Sequence, residues 1–223
     1  MLITLPEQLH PNNDVIASRC ENAQAVLPIK VEFNSDCCYR CLLCHACMPI
    51  SSDFRCSHCG GFVECFYPKT PFTIKQTCSD NWRFADVLPI LPYPLFTCET
   101  TASQRIDDSL LMDYQIYGKI DGTLPSGSIK YRQCAMAVSS LIALGVSEIV
   151  LYSSGNTGSS FMYWAEKCMG ALNVHVFASE HHAAHRLRYK GEHSTVHLLV
   201  SDLVGAEETA QRYATEKGFL VMI

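Results

Sequence analysis

Long apolar runs are missing from this chain: none reaches the roughly 18 residues that a membrane-spanning helix needs. Positive charge is scarce and scattered. Lys and Arg number 17 against 22 Asp and Glu, for a formal net charge of −5 and a pI near 6.0. With no block of Lys or Arg, a nucleic-acid partner gripped through its phosphates is not expected. Nor does the stretch Met1–His10 carry the basic start and apolar core of a secretory signal. The expectation is a cytoplasmic protein with no membrane partner, whose 13 cysteines are reduced thiols, some of them holding metal. What the chain does have is apolar mass. Hydrophobic residues make up 48% of 223, enough to bury a sizeable core in one large domain or two small ones.

Composition divides the chain into four stretches. Residues 1–36 show no steady period, and no role is readable in them. Residues 37–67 hold eight cysteines (37, 38, 41, 44, 47, 56, 59 and 65) with Gly60-Gly61 as a turn. Residues 68–115 are rich in Pro and Thr and read as an irregular connection carrying short elements. Residues 116–223 alternate apolar runs with amphipathic stretches. Strands are expected at 116–120, 148–152, 174–178, 195–200 and 219–223. Helices are expected at 131–144 (stopped by Gly145), from about 161 to 169 (closed by Gly170), at 180–190 and at 203–217 (ended by Gly218). Strands alternating with helices at this spacing predict an α/β fold, a parallel sheet with helices on both faces. The apolar run Phe219–Ile223 reads either as an edge strand tucked against a helix or as a place where the fold continues in a second polypeptide.

Cys41-x2-Cys44 and Cys56-x2-Cys59, eleven residues apart, have the spacing of paired knuckles around a tetrahedral Zn²⁺. Each pair sets two thiolates on one tight turn. Cys37, Cys38, Cys47 and Cys65 lie close enough to be alternatives, since Cys44-x2-Cys47 is also a valid pair. Four thiolates close the coordination shell, so such a ribbon is structural, and it is too small to fold without its metal.

Two loops carry the remaining chemistry. Gly122–Arg132 reads GTLPSGSIKYR, placing Lys130 beyond a small-residue loop at a helix start. A desolvated lysine near the positive end of a helix dipole is driven towards its neutral, nucleophilic form, although most lysines at helix starts are merely solvated. The second loop, Ser153-Ser154-Gly155-Asn156-Thr157-Gly158, follows a strand and opens a helix. Its glycines let backbone N–H groups converge on a phosphate or carboxylate. A plain polar turn with Ser or Thr as N-cap is the competing reading.

In order, the chain carries the four-cysteine ribbon, Trp82-Arg83-Phe84 ahead of Leu88-Pro89, Pro125-Ser126-Gly127-Ser128-Ile129-Lys130, and Ser-Ser-Gly-Asn-Thr-Gly. Over residues 38–223 this resembles threonine synthase and its relatives in the tryptophan synthase β-subunit (fold type II) superfamily of pyridoxal-phosphate enzymes. The resemblance implies pyridoxal 5′-phosphate as cofactor and Lys130 as its Schiff-base lysine and catalytic group. It implies Asn156 as the contact to the cofactor's phenolic oxygen. Ser154, Gly155, Thr157 and Gly158 become the grip on the carboxylate of an amino-acid substrate. The implied chemistry is β- or γ-elimination or replacement. Two positions depart from the family pattern: Tyr131 stands where Asp is common, and Ile129 where Phe is frequent. Family members also continue into a part holding a Gly-rich phosphate loop. After Lys130 the only Gly-rich loop here is the Asn loop itself. The expectation is therefore an enzyme subunit whose site is completed by a second polypeptide. The alternative is a non-catalytic regulatory or scaffolding partner derived from such an enzyme.

The other candidates weigh less. His181 and His185 share a helix face with His182 nearby, more in keeping with a solvated face than with a metal site. His175 and His197 fall inside strands and read as satisfied core or sheet-end histidines. Met112, Met136, Met162 and Met169 read as packing residues, and Tyr131 and Trp164 follow helical spacing.

Overall fold

The computed structural model describes residues 29–67, 71–98, 101, 103–106, 115–180, 191–199 and 202–222. The helix expected at 180–190, with His181, His182 and His185, lies almost wholly outside them, as does Met112. The cysteine-rich stretch forms a small antiparallel sheet of β1 (Cys38–Cys41), β2 (Cys47–Met48) and β3 (Val63–Phe66), in the order β2-β1-β3. It is tied to the rest by the segment just before it. Phe33 bridges Ile90, and Asn34 donates its backbone N–H to the Pro89 carbonyl (2.9 Å) and its side-chain amide to Leu88 (3.2 Å).

A 3₁₀ stretch, Asn81–Val87, follows, started by the Asp80 carboxylate accepting from the Trp82 N–H at 2.8 Å. Next comes an antiparallel hairpin of β4 (Ser103–Ile106) and β5 (Ile116–Lys119), separate from the parallel sheet. The strand expected at 116–120 is this second arm. It finds its partner in an exposed polar segment whose composition carries no strand signal.

The α/β unit runs α1 (Lys130–Ala143), β6 (Glu148–Tyr152), α2 (Asn156–Lys167), β7 (Asn173–Ser179), β8 (Ser194–Leu199), α3 (Leu203–Lys217) and β9 (Leu220–Met222). All four strands are parallel, in the order β8-β7-β6-β9. Alternation along them builds two cores. Ile149, Leu151, Val174 and Val176 face α1 and α2, where Val138, Leu141, Met162 and Trp164 complete the larger core. Val150 and Phe177 face the other way, onto Ala210 and Ala214 of α3. The three-layer arrangement follows directly from the apolar runs.

Glycines stop the helices as expected. Gly145 (φ 74°) ends α1, and Gly218 (φ 71°) caps α3 in the left-handed conformation. α2 differs from expectation by starting at Asn156, inside the glycine-serine loop. Among the described residues, no helix is long and apolar enough to cross a membrane.

Candidate functional site

β6 delivers the Asn loop to the carboxyl edge of the sheet, where open α/β folds bind ligands. Ser153 is still in the ladder, donating its N–H to the Phe177 carbonyl (2.9 Å). Its hydroxyl then accepts the N–H groups of Gly155 (3.2 Å) and Gly158 (2.9 Å) and caps α2 from within. Gly155, at φ 153° and ψ −79°, holds a conformation closed to residues with a Cβ. With those two amides spent on Ser153, the N–H groups of Asn156 and Thr157 make no hydrogen bond among the described residues. They stand at the positive end of α2.

Lys130 opens α1. Before it, Gly127 (φ 71°) closes a tight turn by donating to the Leu124 carbonyl at 2.7 Å. The lysine is half-buried, and its Nζ donates to Gln133 Oε1 at 3.1 Å. Lys130, Ser153, Ser154, Asn156 and Thr157 together line one pocket of about 330 Å³. Gly155 and Gly158 shape its loop without lining it. A larger cavity of about 490 Å³ sits elsewhere, beside Glu148, Gly218 and Ser52. It lies at the opposite ends of the strands and holds none of the candidate catalytic, cofactor, substrate or metal residues.

Three contacts fix the lysine loop against the Asn loop. Ser160 Oγ lies 2.8 Å from Ser126 Oγ and 2.8 Å from the Asn156 carbonyl, and both serines are buried. Trp164 Nε1 donates to the Tyr131 carbonyl at 2.8 Å, and the Cys134 thiol points at the Thr157 carbonyl, 3.9 Å away. On the outer side, Arg132 donates to Asp121 Oδ1 (2.8 Å), which also accepts from Thr101 Oγ1 (3.0 Å). Sequence reasoning missed Ser126, Ser160, Asp121 and Arg132, because partners 11 to 34 residues apart leave no local pattern. Tyr131, the departure beside the lysine, is buried against Trp164 (ring centroids 4.9 Å) and anchors the first turn of α1 by packing. The pocket thus combines an amine, an amide, hydroxyls and two unspent backbone donors. Two residues before Lys130, the Ser128 hydroxyl is buried without a hydrogen-bond partner among the described residues. This donor set suits an anionic ligand with a carbonyl that an amine can attack, and pyridoxal phosphate is of that kind.

In the ribbon, the Sγ atoms of Cys41, Cys44, Cys56 and Cys59 all lie within 4.8 Å of one another. Cys41 and Cys59 are 3.5 Å apart, and Cys44 and Cys56 are 3.6 Å apart. A tetrahedron with metal–sulfur bonds of about 2.3 Å has edges of about 3.8 Å, so the four thiols fit Zn²⁺. The Cys44 N–H, aided by that of Leu43, outweighs burial and brings the Cys41 thiol down to about 6, towards the thiolate a metal needs. A Cβ on Gly61 would come within 2.9 Å of the exposed Leu43 side chain and 3.2 Å of Cys41 Sγ, so a larger residue there would press on one of the four thiols. Cys37, Cys38, Cys47 and Cys65 stand outside the group, and burial pushes the Cys37 thiol up to about 12.

A family model described as pyridoxal-phosphate dependent enzyme matches residues 92–222. Threonine synthase of Methanosarcina acetivorans is 26% identical over 128 residues, which cover 51% of this chain and 30% of that protein. Threonine synthase of Methanocaldococcus jannaschii is 25% identical over 157 residues, covering 60% and 37%. The chain therefore spans about a third of the length of these curated relatives. Among solved structures, O-ureido-L-serine synthase aligns at 20% identity with a TM-score of 0.46, over 54% of this chain and 40% of that one. The matched stretch takes in more than half of the chain and both loops of the pocket, and on that ground the chain belongs to the pyridoxal-phosphate dependent enzyme family.

Proposed function

We propose that this chain is a subunit of a pyridoxal-phosphate enzyme of the threonine synthase type, acting on an amino acid by β- or γ-elimination or replacement. The observation that carries the reading is the convergence of Lys130 with Ser154, Asn156 and Thr157 on one pocket at the carboxyl edge of a parallel sheet. Two threonine synthases among its relatives support that reaction type.

When bound, pyridoxal phosphate supplies an electron sink that makes the α-hydrogen of an amino acid acidic. The chain's own residues do the rest. Lys130 anchors the cofactor and, once released by substrate, carries protons as general base and then general acid. Asn156 offers its side-chain amide to the cofactor's ring oxygen. The Asn156 and Thr157 N–H groups and the Ser154 hydroxyl hold the substrate carboxylate at the positive end of α2. Gly155 and Gly158 serve that grip by allowing the turn on which Ser153 holds the loop. The ribbon holds a structural zinc through Cys41, Cys44, Cys56 and Cys59.

On this reading a second polypeptide covers the pocket and brings the phosphate-binding part. Ile120 and Ile129 support it: they are 55% and 64% exposed, and Ile129 stands beside the lysine. Such a cover would also exclude water from the pocket.

The test is borohydride reduction of the complex in the presence of pyridoxal phosphate, followed by peptide mass spectrometry. The cofactor mass is expected on Lys130, and Lys130→Ala should lose it. Label on a lysine of the partner, or none at all, would move the enzymatic role away from this chain. Co-expression with the neighbouring reading frame and size-exclusion chromatography test the partner, and a monodisperse lone chain counts against it.

A further inference from the structure

The densest group of titratable side chains away from the pocket and the ribbon lies between the sheet and α3. His175 on β7, His197 on β8, Tyr213 on α3 and Glu148 on β6 meet there. Glu148 Oε2 stands 3.2 Å from His175 Nε2. A carboxylate only accepts, so the proton sits on Nε2 and the in-plane lone pair on Nδ1. Glu148 is itself fixed by the Asn173 amide, which donates to Oε1 at 2.8 Å.

Two further groups converge on that one lone pair. His197 Nε2 is 3.4 Å from His175 Nδ1, and Tyr213 Oη is 3.5 Å from it. One lone pair cannot accept a good hydrogen bond from both, and both separations exceed the usual 2.7–3.2 Å range for such bonds (about 2.9–3.0 Å at the mode). They do match the edge of a metal polyhedron. With metal–nitrogen bonds of about 2.0–2.1 Å, tetrahedral ligand atoms lie about 3.3–3.4 Å apart. Phe177 stacks on His197 at 4.2 Å and Phe219 on His175 at 5.4 Å, giving the group an apolar surround.

We propose that His175 Nδ1, His197 Nε2 and Tyr213 Oη form a second metal site, for a divalent transition ion that favours imidazole, with Glu148 orienting His175 from behind. The carboxylate–histidine–metal arrangement fixes the ring and raises its basicity. Binding would join β7, β8 and α3 around one ion. The proposal is independent of the pyridoxal-phosphate reading, because the site shares no residue with that pocket.

The experiment is calorimetric titration of the zinc-loaded chain with Ni²⁺, an ion suited to imidazole. One equivalent per chain is expected to bind without displacing the ribbon zinc. His175→Gln and His197→Gln should each weaken it by at least about tenfold, and Glu148→Gln, which leaves all three ligands, by about tenfold. Tyr213→Phe, which keeps the ring packing, should weaken it less. The chain has nine histidines. Unchanged affinity in both His175→Gln and His197→Gln, no saturable equivalent in wild type, or a loss that instead follows His181→Ala with His185→Ala overturns the proposal. If the glutamine variants do not fold, anomalous scattering at the nickel edge from wild-type crystals decides. A peak bridging the three atoms supports the site, and no peak there overturns it.

Discussion

β6 and β3 are strands of similar length in two parts of the same chain, and they are held by different means. β6 buries Ile149, Val150 and Leu151 in succession, each 2% exposed or less, and feeds a core on both faces. β3 buries none of its four residues. Around it, the buried side chains of the ribbon are Tyr39 and two of the four clustered thiols, Cys41 and Cys56. Burial of apolar surface holds the α/β unit, whereas the ribbon has, in place of such a core, four clustered thiols able to hold a metal. Perturbing the metal and perturbing the core should therefore damage different parts of the molecule.

The largest effect is expected at the metal. Structural zinc contributes apparent free energies of about 10–16 kcal/mol in small zinc modules. Cys56→Ser should cost the chain its zinc, read by metal analysis, and raise amide exchange throughout Cys38–Phe66 while β6 and β7 stay protected. Loss of protection in the sheet as well would show that the two parts fold as one.

The converse break is Trp164→Ala. It opens a cavity between α1 and α2 and removes the indole's bond to the Tyr131 carbonyl. A cost of about 3–5 kcal/mol is expected from urea denaturation, with zinc content unchanged.

A smaller effect sharpens the account of the lysine loop. Asp121 is held below the ordinary aspartate range, first because Arg132 donates to it. A depressed carboxyl stabilises the fold above its unfolded value, and that contribution is lost as pH falls through the folded one. The side chains are 27% and 21% exposed, so Asp121→Asn should cost only about 1 kcal/mol at neutral pH. The gap to wild type should close on acidification through the aspartate range. Urea midpoints at neutral and acid pH measure it, and a gap that persists in acid would remove the ion pair as its source.

Smallest of all is the stability effect of Lys130→Ala, within about 0.5 kcal/mol, because the lysine contributes little packing. Its covalent labelling by pyridoxal phosphate and borohydride should vanish. Asn156→Ala should keep the label and slow turnover, since it removes an oriented donor and leaves the anchor.

Much of the α/β unit was legible in the sequence, because its elements are built on local signals. Ile149–Tyr152 is one unbroken apolar run between polar neighbours, and Gly145 and Gly218 mark helix ends by a conformation other residues avoid. The start of α2 was not legible. Ser153–Ser160 reads as loop by composition, yet Ser153 reaches to Gly158 and turns most of it into helix. The hairpin was missed on one side, because Ser103–Ile106 is exposed along its length and carries no alternation. At the site, spacing alone made Lys130 an ordinary helix-start lysine. The family resemblance gave it a role, and the sheet then set it beside Asn156. The clamp between Ser126 and Ser160 left no trace, since two serines far apart in the chain have no reason to be paired until α1 and α2 are in contact.

The indole of Trp164 also gives the molecule an optical handle. It is 1% exposed, bonded to the first turn of the lysine helix, and flanked by Tyr131 and Phe96. The chain has only one other tryptophan, Trp82, itself buried and bonded to Thr97. A Trp82→Phe protein would fluoresce from Trp164 alone, at the short wavelengths of a dry indole. A red shift in that emission would report movement of the turn that carries Lys130, and quenching by an absorbing ligand would report occupancy of the pocket beside it.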